Sequence, residues 1–351
     1  MFRLDFPGCY IQGQGALTNL WEVLGTIGRR IAVVTGRQSG LAIRGLMGNR
    51  PGTIELGGQS VVDGLCTAGH VESVRAMISS SHCDVVVAAG GGSVIDIAKT
   101  AAARESLPIV TVPTVAATDA ATTGLSVFYE DDGSMIGLER LPCHPAAVIV
   151  DTSIILNAPA RFLAAGVGEA SSTWVEARYR LGCASGTREG ISDTAVRCAE
   201  SSFEATMQWA PQAYRAVVRK EPCPALDFFL EALFVESSIG AEGVGVALAH
   251  SLHDAYLQVS SNRPLLHGEL VGLFSIAQLE LAGDQETAER LRSLFGEVNL
   301  PTQLNALGLR SSDSAEIWHL AEVSLGPDKA AGRLPVVPSV QSVVDALMAL
   351  S

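Results

Sequence analysis

Along the first 155 residues, short apolar runs alternate with amphipathic stretches. Ile31–Thr35, Val85–Ala89, Ile109–Val112 and Ala147–Val150 carry almost no polar interruption, so none of them can present one face to water. Strands buried on both faces belong to a parallel sheet covered by helices. The amphipathic pieces Ser39–Met47, Gly69–Ser80 and Val94–Arg104 supply that cover. From Pro159 onward the β-rich runs fade, and Ala/Leu/Glu-rich segments take over at Ala160–Leu181, Ser192–Met207, Tyr214–Lys220, Ala225–Gln258 and Gly268–Leu281. Pro159 stands where a helix start tolerates proline. The pattern predicts an α/β nucleotide-binding domain with a parallel sheet over 1–157, then an all-α domain over 158–351 in which Pro335–Ser339 is a loop before a last helix.

Composition excludes several classes. The chain carries 24 Lys and Arg against 37 Asp and Glu, a net charge of −13, and its cations are scattered singly, so neither nucleic acid nor an anionic membrane surface is an expected partner. Apolar residues make up 48% of the chain, yet no window approaches the roughly 18 uninterrupted apolar residues of a membrane span. Met1-Phe2-Arg3-Leu4-Asp5 lacks the basic and apolar regions of a signal peptide, and a soluble, cytoplasmic protein is expected. Seven widely spaced cysteines without a C-x-x-C pair read as reduced packing residues. With only three lysines (Lys99, Lys220, Lys329), a site built on several ammonium groups is not available.

Two local patterns carry chemistry. In Ala89-Gly90-Gly91-Gly92-Ser93 three glycines follow a buried strand and open a helix. Bare backbone there lets a pyrophosphate approach, and the helix start offers unpaired N–H groups with partial positive charge, although a tight ligand-free turn would read the same way. In the helical half, His250-Ser251-Leu252-His253 is followed by His267-Gly268-Glu269, which puts His250 and His267 seventeen residues apart. They are either metal ligands or satisfied core histidines. His253, one turn beyond His250, shares its face.

The run Gly90-Gly91-Gly92-Ser93-x-x-Asp96-x-Ala98-Lys99 resembles the fingerprint of the metal-dependent alcohol and polyol dehydrogenase superfamily, which includes glycerol dehydrogenases and is distantly related to 3-dehydroquinate synthases. Tyr10-Ile11-Gln12-Gly13, Val112–Ala120, Leu125–Tyr129 and Pro159–Gly168 with Thr173–Arg178 extend the resemblance over most of residues 10 to 285. It implies a dehydroquinate synthase-like fold, an α/β nucleotide domain followed by a helical metal-binding domain. It also implies a dinucleotide lying along Gly90, Gly91, Gly92, Ser93 and Asp96 and flanked by Thr114, Thr123, Leu125 and Tyr129, with Asp119 facing substrate hydroxyls. His250 and His267 match the family's metal pair. The third ligand in glycerol dehydrogenases is the Asp of G-x-G-D-A, where this chain has Gly166-Val167-Gly168-Glu169-Ala170. Glu169 keeps the carboxylate with an added methylene, and the synthases use such a Glu/His/His set. The further His of iron-dependent relatives is Thr173 here, which favours Zn²⁺ over Fe²⁺. His253 then stands behind the ligands or, like Asp119, accepts a proton.

The implied activity is a metal-assisted, NAD(H)- or NADP(H)-dependent oxidoreduction between a small polyol or secondary alcohol and its carbonyl compound. Glycerol dehydrogenases carry an acidic residue after the first nucleotide-domain strand to hold the adenine ribose; Thr35-Gly36-Arg37 replaces it with a cation, so NADP(H) should be tolerated beside NAD(H). A homo-oligomer is expected because relatives assemble. Two alternatives stand beside this reading: a lyase or cyclase of the dehydroquinate synthase type, suggested by Glu169, and a degenerate relative that binds nucleotide without turnover.

Overall fold

The continuous apolar runs become the centre of a six-stranded parallel sheet. The computed structural model describes residues 2–183, 190–260 and 264–351. Its strands are β1 (Tyr10–Gly13), β2 (Arg30–Thr35), β3 (Glu55–Val61), β4 (Val85–Gly90), β5 (Ile109–Pro113), the antiparallel hairpin β6 (Leu125–Tyr129) and β7 (Met135–Arg140), and β8 (Ala147–Asp151). The sheet order is β1-β8-β5-β4-β2-β3. Every residue of β4, β5 and β8 is buried, as strands covered on both faces must be. Ile31, Val33, Val85, Val87, Val110, Val112 and Ile149 form one continuous core with Leu20 and Leu24 of α1 (Leu20–Ile27) and Ile43 of α2 (Arg37–Gly48). The helices α3 (Ala68–Ser80) and α4 (Gly92–Arg104) complete the layer, and α5 (Thr152–Asn157) follows β8.

Edge strand β3 has no apolar run to announce it. Its register against β2 slips between Ile31 and Ala32, and Gly57 and Gly58 sit at that irregularity. A Cβ on Gly58 would meet Met77 Sδ at 2.3 Å, so the glycine leaves room for the Met77 side chain of α3.

The remaining helices are α6 (Ala160–Cys183), α7 (Asp193–Arg219), α8 (Pro224–Glu231), α9 (Ser238–Val244), α10 (Leu248–Val259), α11 (His267–Ala282), α12 (Gln285–Glu297), α13 (Ser314–Ser324) and α14 (Val340–Met348). Two details differ from the sequence pattern. Ser192–Met207 and Tyr214–Lys220 are one 27-residue helix that runs through Pro211, although proline removes one ladder hydrogen bond there. Ala225–Gln258 is broken instead: α8 passes through a π-helical turn at Ala232–Ser237, and α9 stops at Gly245, whose φ of 90° closes it before α10 starts. No single described helix is long and apolar enough to cross a membrane.

The chain divides into two compact units, one of residues 5–159 with 216–227, the other of 2–4, 160–215 and 228–351. Residues 216–227 join the sheet unit because Lys220 Nζ donates to the carbonyls of Leu156 (3.0 Å) and Ala158 (2.6 Å), and Gln12 Nε2 donates to that of Asp227 (2.9 Å).

One interaction in each unit governs where chemistry-bearing residues stand. In the first, buried Lys99 donates from Nζ to the carbonyls of Ala120 (2.8 Å), Thr123 (3.2 Å) and Leu125 and pairs with Asp96 Oδ1 at 3.1 Å, which clamps the segment after β5 onto α4. In the second, α6 and α11 touch backbone to backbone. A Cβ on Gly268 would fall 2.0 Å from the Ala165 carbonyl oxygen, and one on Gly168 would fall 2.0 Å from the Gly268 oxygen.

Lys99→Met should therefore lower the unfolding free energy by about 3 to 5 kcal/mol in a denaturant titration, since Asp96 would be left buried without its cation. Gly268→Ala should destabilise the helical unit by about 1 to 3 kcal/mol through forced separation of α6 and α11, read as a lower melting midpoint.

Candidate functional site

In the first unit β2 and β4 lie side by side, but the helices after them lead opposite ways, α2 toward β3 and α4 toward β5. Such a switch point leaves a crevice at the carboxyl ends of the strands. Gly36 and Arg37 follow β2, and Gly91 to Ser93 follow β4, so the topology gathers the expected dinucleotide segments there. Ser39 links them: Gly36 N–H donates to Ser39 Oγ (2.8 Å), and that hydroxyl donates to the Ala89 carbonyl (2.7 Å). Glycine is needed at position 90, where the turn is most closely covered, and the cover over 91 and 92 is looser. A Cβ on Gly90 would lie 2.5 Å from Val94 Cβ, and Cβ atoms on Gly91 and Gly92 would lie 3.2 Å from Val115 Cγ2 and Thr118 Oγ1.

The loop after β5 is stitched to this turn by Thr114 N–H, which donates to the Gly90 carbonyl at 3.0 Å. Thr114, Asp119 and Thr123 are all buried on it, and Leu125 and Tyr129 are the half-buried ends of β6. The Asp119 carbonyl accepts from Thr122 N–H (2.9 Å) and Oγ (2.8 Å), which fixes the local turn. Asp96 departs from expectation. Its carboxylate points inward, to Lys99 and to Val127 N–H at 3.1 Å, and braces α4 against β6 instead of lying open to a ligand. Arg37 has a side chain 78% exposed, with Asp63 Oδ2 3.5 Å away.

In the second unit three helices converge. One potential ligating atom from each of Glu169 on α6, His250 on α10 and His267 at the start of α11 lies within 4.8 Å of the others. The carboxylate is buried, while the His250 and His267 side chains are 19% and 28% exposed, so the cluster has one open side. Glu169 Oε2 lies 3.0 Å from His267 Nε2, and no well-directed hydrogen bond reaches it. A carboxylate oxygen and an imidazole nitrogen held this close can share a cation, and one carboxylate with two imidazoles is a set that zinc accepts. The added methylene of Glu169 leaves its oxygen within reach of the imidazoles.

Both imidazoles of the set are backed by another side chain. His250 Nδ1 is hydrogen-bonded to Glu176 Oε2. His267 Nδ1 lies 3.0 Å from His253 Nε2, and His253 Nδ1 lies 2.9 Å from Asp254 Oδ1, so both nitrogens of the buried His253 are engaged. Glu269 of the H-G-E run is not a ligand candidate: it accepts Leu266 N–H (2.7 Å) and two Arg161 donors (2.6 and 2.7 Å), capping α11 so that His267 is its first residue.

The local field follows from these contacts. Burial alone would hold the His250 imidazole down, but the Glu176 carboxylate, helped by Glu169 and Asp254, outweighs it and raises the pKa to about 9. His253 moves the other way, to about 4, because burial and the adjacent His267 keep it neutral against the pull of Asp254. Burial disfavours charge on Glu169, yet the three imidazoles around it hold its pKa below the ordinary carboxylate range. No local motif marks Glu176, Asp254 or Arg161 for the positions they hold here. The one usable signal was that Glu176 lies seven residues after Glu169, two helical turns along the same face of α6.

The family described as iron-containing alcohol dehydrogenase matches residues 7–152. The glycerol dehydrogenase of Thermotoga maritima is 33% identical over 98% of this chain and 95% of its own length, and that of Pseudomonas putida is 32% identical over 98% and 96%. A probable glycerol dehydrogenase from Sinorhizobium meliloti, solved by crystallography, superposes with a TM-score of 0.90 at 31% identity over 99% of this chain and 98% of that one. The glycine turn, the parallel sheet with its switch point and the Glu/His/His cluster are thus found in a chain related over its full length to these enzymes, and it belongs to the iron-containing alcohol dehydrogenase family as an oxidoreductase akin to the glycerol dehydrogenases.

Proposed function

We propose that the protein interconverts a small polyol, or a related secondary alcohol, with its carbonyl form, using a nicotinamide dinucleotide bound at the glycine turn and a divalent cation held by Glu169, His250 and His267. The observation that carries this reading is the convergence of those three ligating groups in a chain akin to glycerol dehydrogenases. Zinc is the cation that fits best. Thr173, one turn beyond Glu169, gives its hydroxyl to a 2.8 Å hydrogen bond with Ser237 Oγ and offers no further imidazole.

A bound cation of this kind supplies Lewis acidity, lowering the pKa of a substrate hydroxyl and polarising the carbonyl in reverse, while the nicotinamide carries the hydride. The chain's own residues do the rest. Gly91, Gly92 and Ser93 leave the N-terminus of α4 open to the pyrophosphate. His267 is oriented through His253 and Asp254: with its Nε2 lone pair kept for the ligand, Nδ1–H donates to His253 Nε2, whose own Nδ1–H donates to Asp254. With both His253 nitrogens so used, Asp119 is the group we assign to accept the proton of the substrate hydroxyl, on a loop that Lys99 pins. NAD(H) is the expected cofactor. Arg37 supports tolerance of NADP(H), and the nearby Asp63 limits the preference.

His267→Ala should abolish both metal retention, by elemental analysis, and turnover, whereas Glu169→Asp should retain metal; full activity in chelated, metal-free protein would refute the reading. Because His250 is raised to about 9, it is protonated at neutral pH and must lose that proton to ligate, so zinc uptake at pH 7 should release about one proton per site in calorimetry across buffers of different ionisation enthalpy. Asp119→Asn should slow turnover by roughly 10²- to 10⁴-fold with dinucleotide affinity nearly unchanged. Arg37→Ala should weaken NADP(H) alone, by about 1.5 to 3 kcal/mol, and equal losses for NAD(H) would show that Arg37 does not read the phosphate.

A further inference from the structure

The start of α10 has no cap of its own. Its N-cap residue is Ala247, and no Ser, Thr, Asp or Asn lies in the Gly245-Val246-Ala247-Leu248-Ala249 approach. Four N–H groups are left there in a buried environment, and two side chains from other helices take them in pairs. Glu176 Oε1 on α6 accepts from Ala247 (2.8 Å) and His250 (3.0 Å). Gln278 Oε1 on α11 accepts from Leu248 (2.9 Å) and Ala249 (3.0 Å), while Gln278 Nε2 donates to the Val175 carbonyl at 3.0 Å and so ties itself to the residue before Glu176. The second Glu176 oxygen, Oε2, is the one bonded to His250 Nδ1. A single carboxylate, 1% exposed, thus holds both the backbone and the ring of the same histidine.

We propose that Glu176 is the positioning residue of this centre: its carboxylate fixes where α10 begins and keeps the proton of the His250 ring on Nδ1, which leaves Nε2 to ligate. The proposal rests on the metal reading above. Glu169 and Glu176, on one face of α6, then divide the work, the first ligating and the second setting a partner ligand. An amide at 176 separates capping from ring control. The carboxamide oxygen of Glu176→Gln can still accept both N–H groups, but its NH₂ can only donate toward His250 Nδ1. The ring proton is then driven to Nε2, the nitrogen that has to be free.

The test compares zinc affinity, by competition with a chromophoric chelator and corrected for displaced protons, in wild-type protein, Glu176→Gln and Gln278→Met, with melting midpoints of the metal-free forms. Glu176→Gln should keep a near-wild-type midpoint and lose zinc affinity about 10- to 100-fold. Gln278→Met, which uncaps Leu248 and Ala249 without touching the ring, should melt earlier while its folded fraction binds zinc as wild type does. Glu176→Gln affinity within about threefold of wild type would overturn the proposal, as would an equal loss in Gln278→Met, which would show that capping alone matters. In zinc-loaded wild-type protein, long-range ¹H–¹⁵N correlation spectra should show His250 ligating through Nε2 with its proton on Nδ1. Ligation through Nδ1 would overturn the proposal whatever the variants do. Wild-type protein that binds no zinc would instead bring down the metal reading itself.

Discussion

The crossing of α6 and α11 is the constraint on which the helical unit's chemistry depends. Two helices normally keep their axes about 8 to 10 Å apart because side chains stand between them. Here Gly168, Gly268 and Gly272 remove those side chains, and backbone atoms fill the places where Cβ atoms would stand. The residues beside the glycines in sequence, Glu169 and His267, are thereby brought to 3.0 Å from carboxylate oxygen to imidazole nitrogen.

Burial at that crossing makes every polar group there dependent on a partner. An uncompensated buried N–H, carboxylate or imidazole costs a good part of a domain's net stability, so most of them are partnered, although no well-directed hydrogen bond reaches Glu169 Oε2. Glu269 reaches Arg161, His267 reaches His253, which in turn bonds Asp254, and the first turn of α10 reaches Glu176 and Gln278. The orientation of the ligand candidates is a by-product of this satisfaction. The opposite shifts of His250, raised to about 9, and of the neighbouring His253, lowered to about 4, arise because the Glu176 carboxylate outweighs burial at the first, whereas burial, with His267 beside it, outweighs Asp254 at the second.

The sheet unit uses the same device most prominently at Lys99. Lys99, one of only three lysines in the chain, is buried in the middle of α4, where its ammonium donates to three backbone carbonyls and pairs with Asp96. It substitutes for a strand-like connection in holding the loop that carries Thr114, Asp119 and Thr123. A fingerprint residue that resembles a ligand contact in sequence is therefore an internal brace in the fold.

The sequence by itself determined the layers: β2, β4, β5 and β8 were legible because strands covered on both faces must be continuously apolar, and the glycine turn because three successive glycines follow a buried strand and open a helix. It also carried the ligand candidates, since Glu169, His250 and His267 each sit in a recognisable local pattern. It could not disclose β3, where Gly57 and Gly58 replace hydrophobicity with close packing, or the helix that continues through Pro211, because neighbours decide whether a lost hydrogen bond is tolerated. Nor could it give Glu176 a role or place Asp63 beside Arg37. Local propensity and periodicity act over a few residues, whereas a hydrogen bond between residues 176 and 250 or an ion pair between 37 and 63 exists only after separate elements have been packed together. What the tertiary structure decided was therefore the partner of each buried polar group.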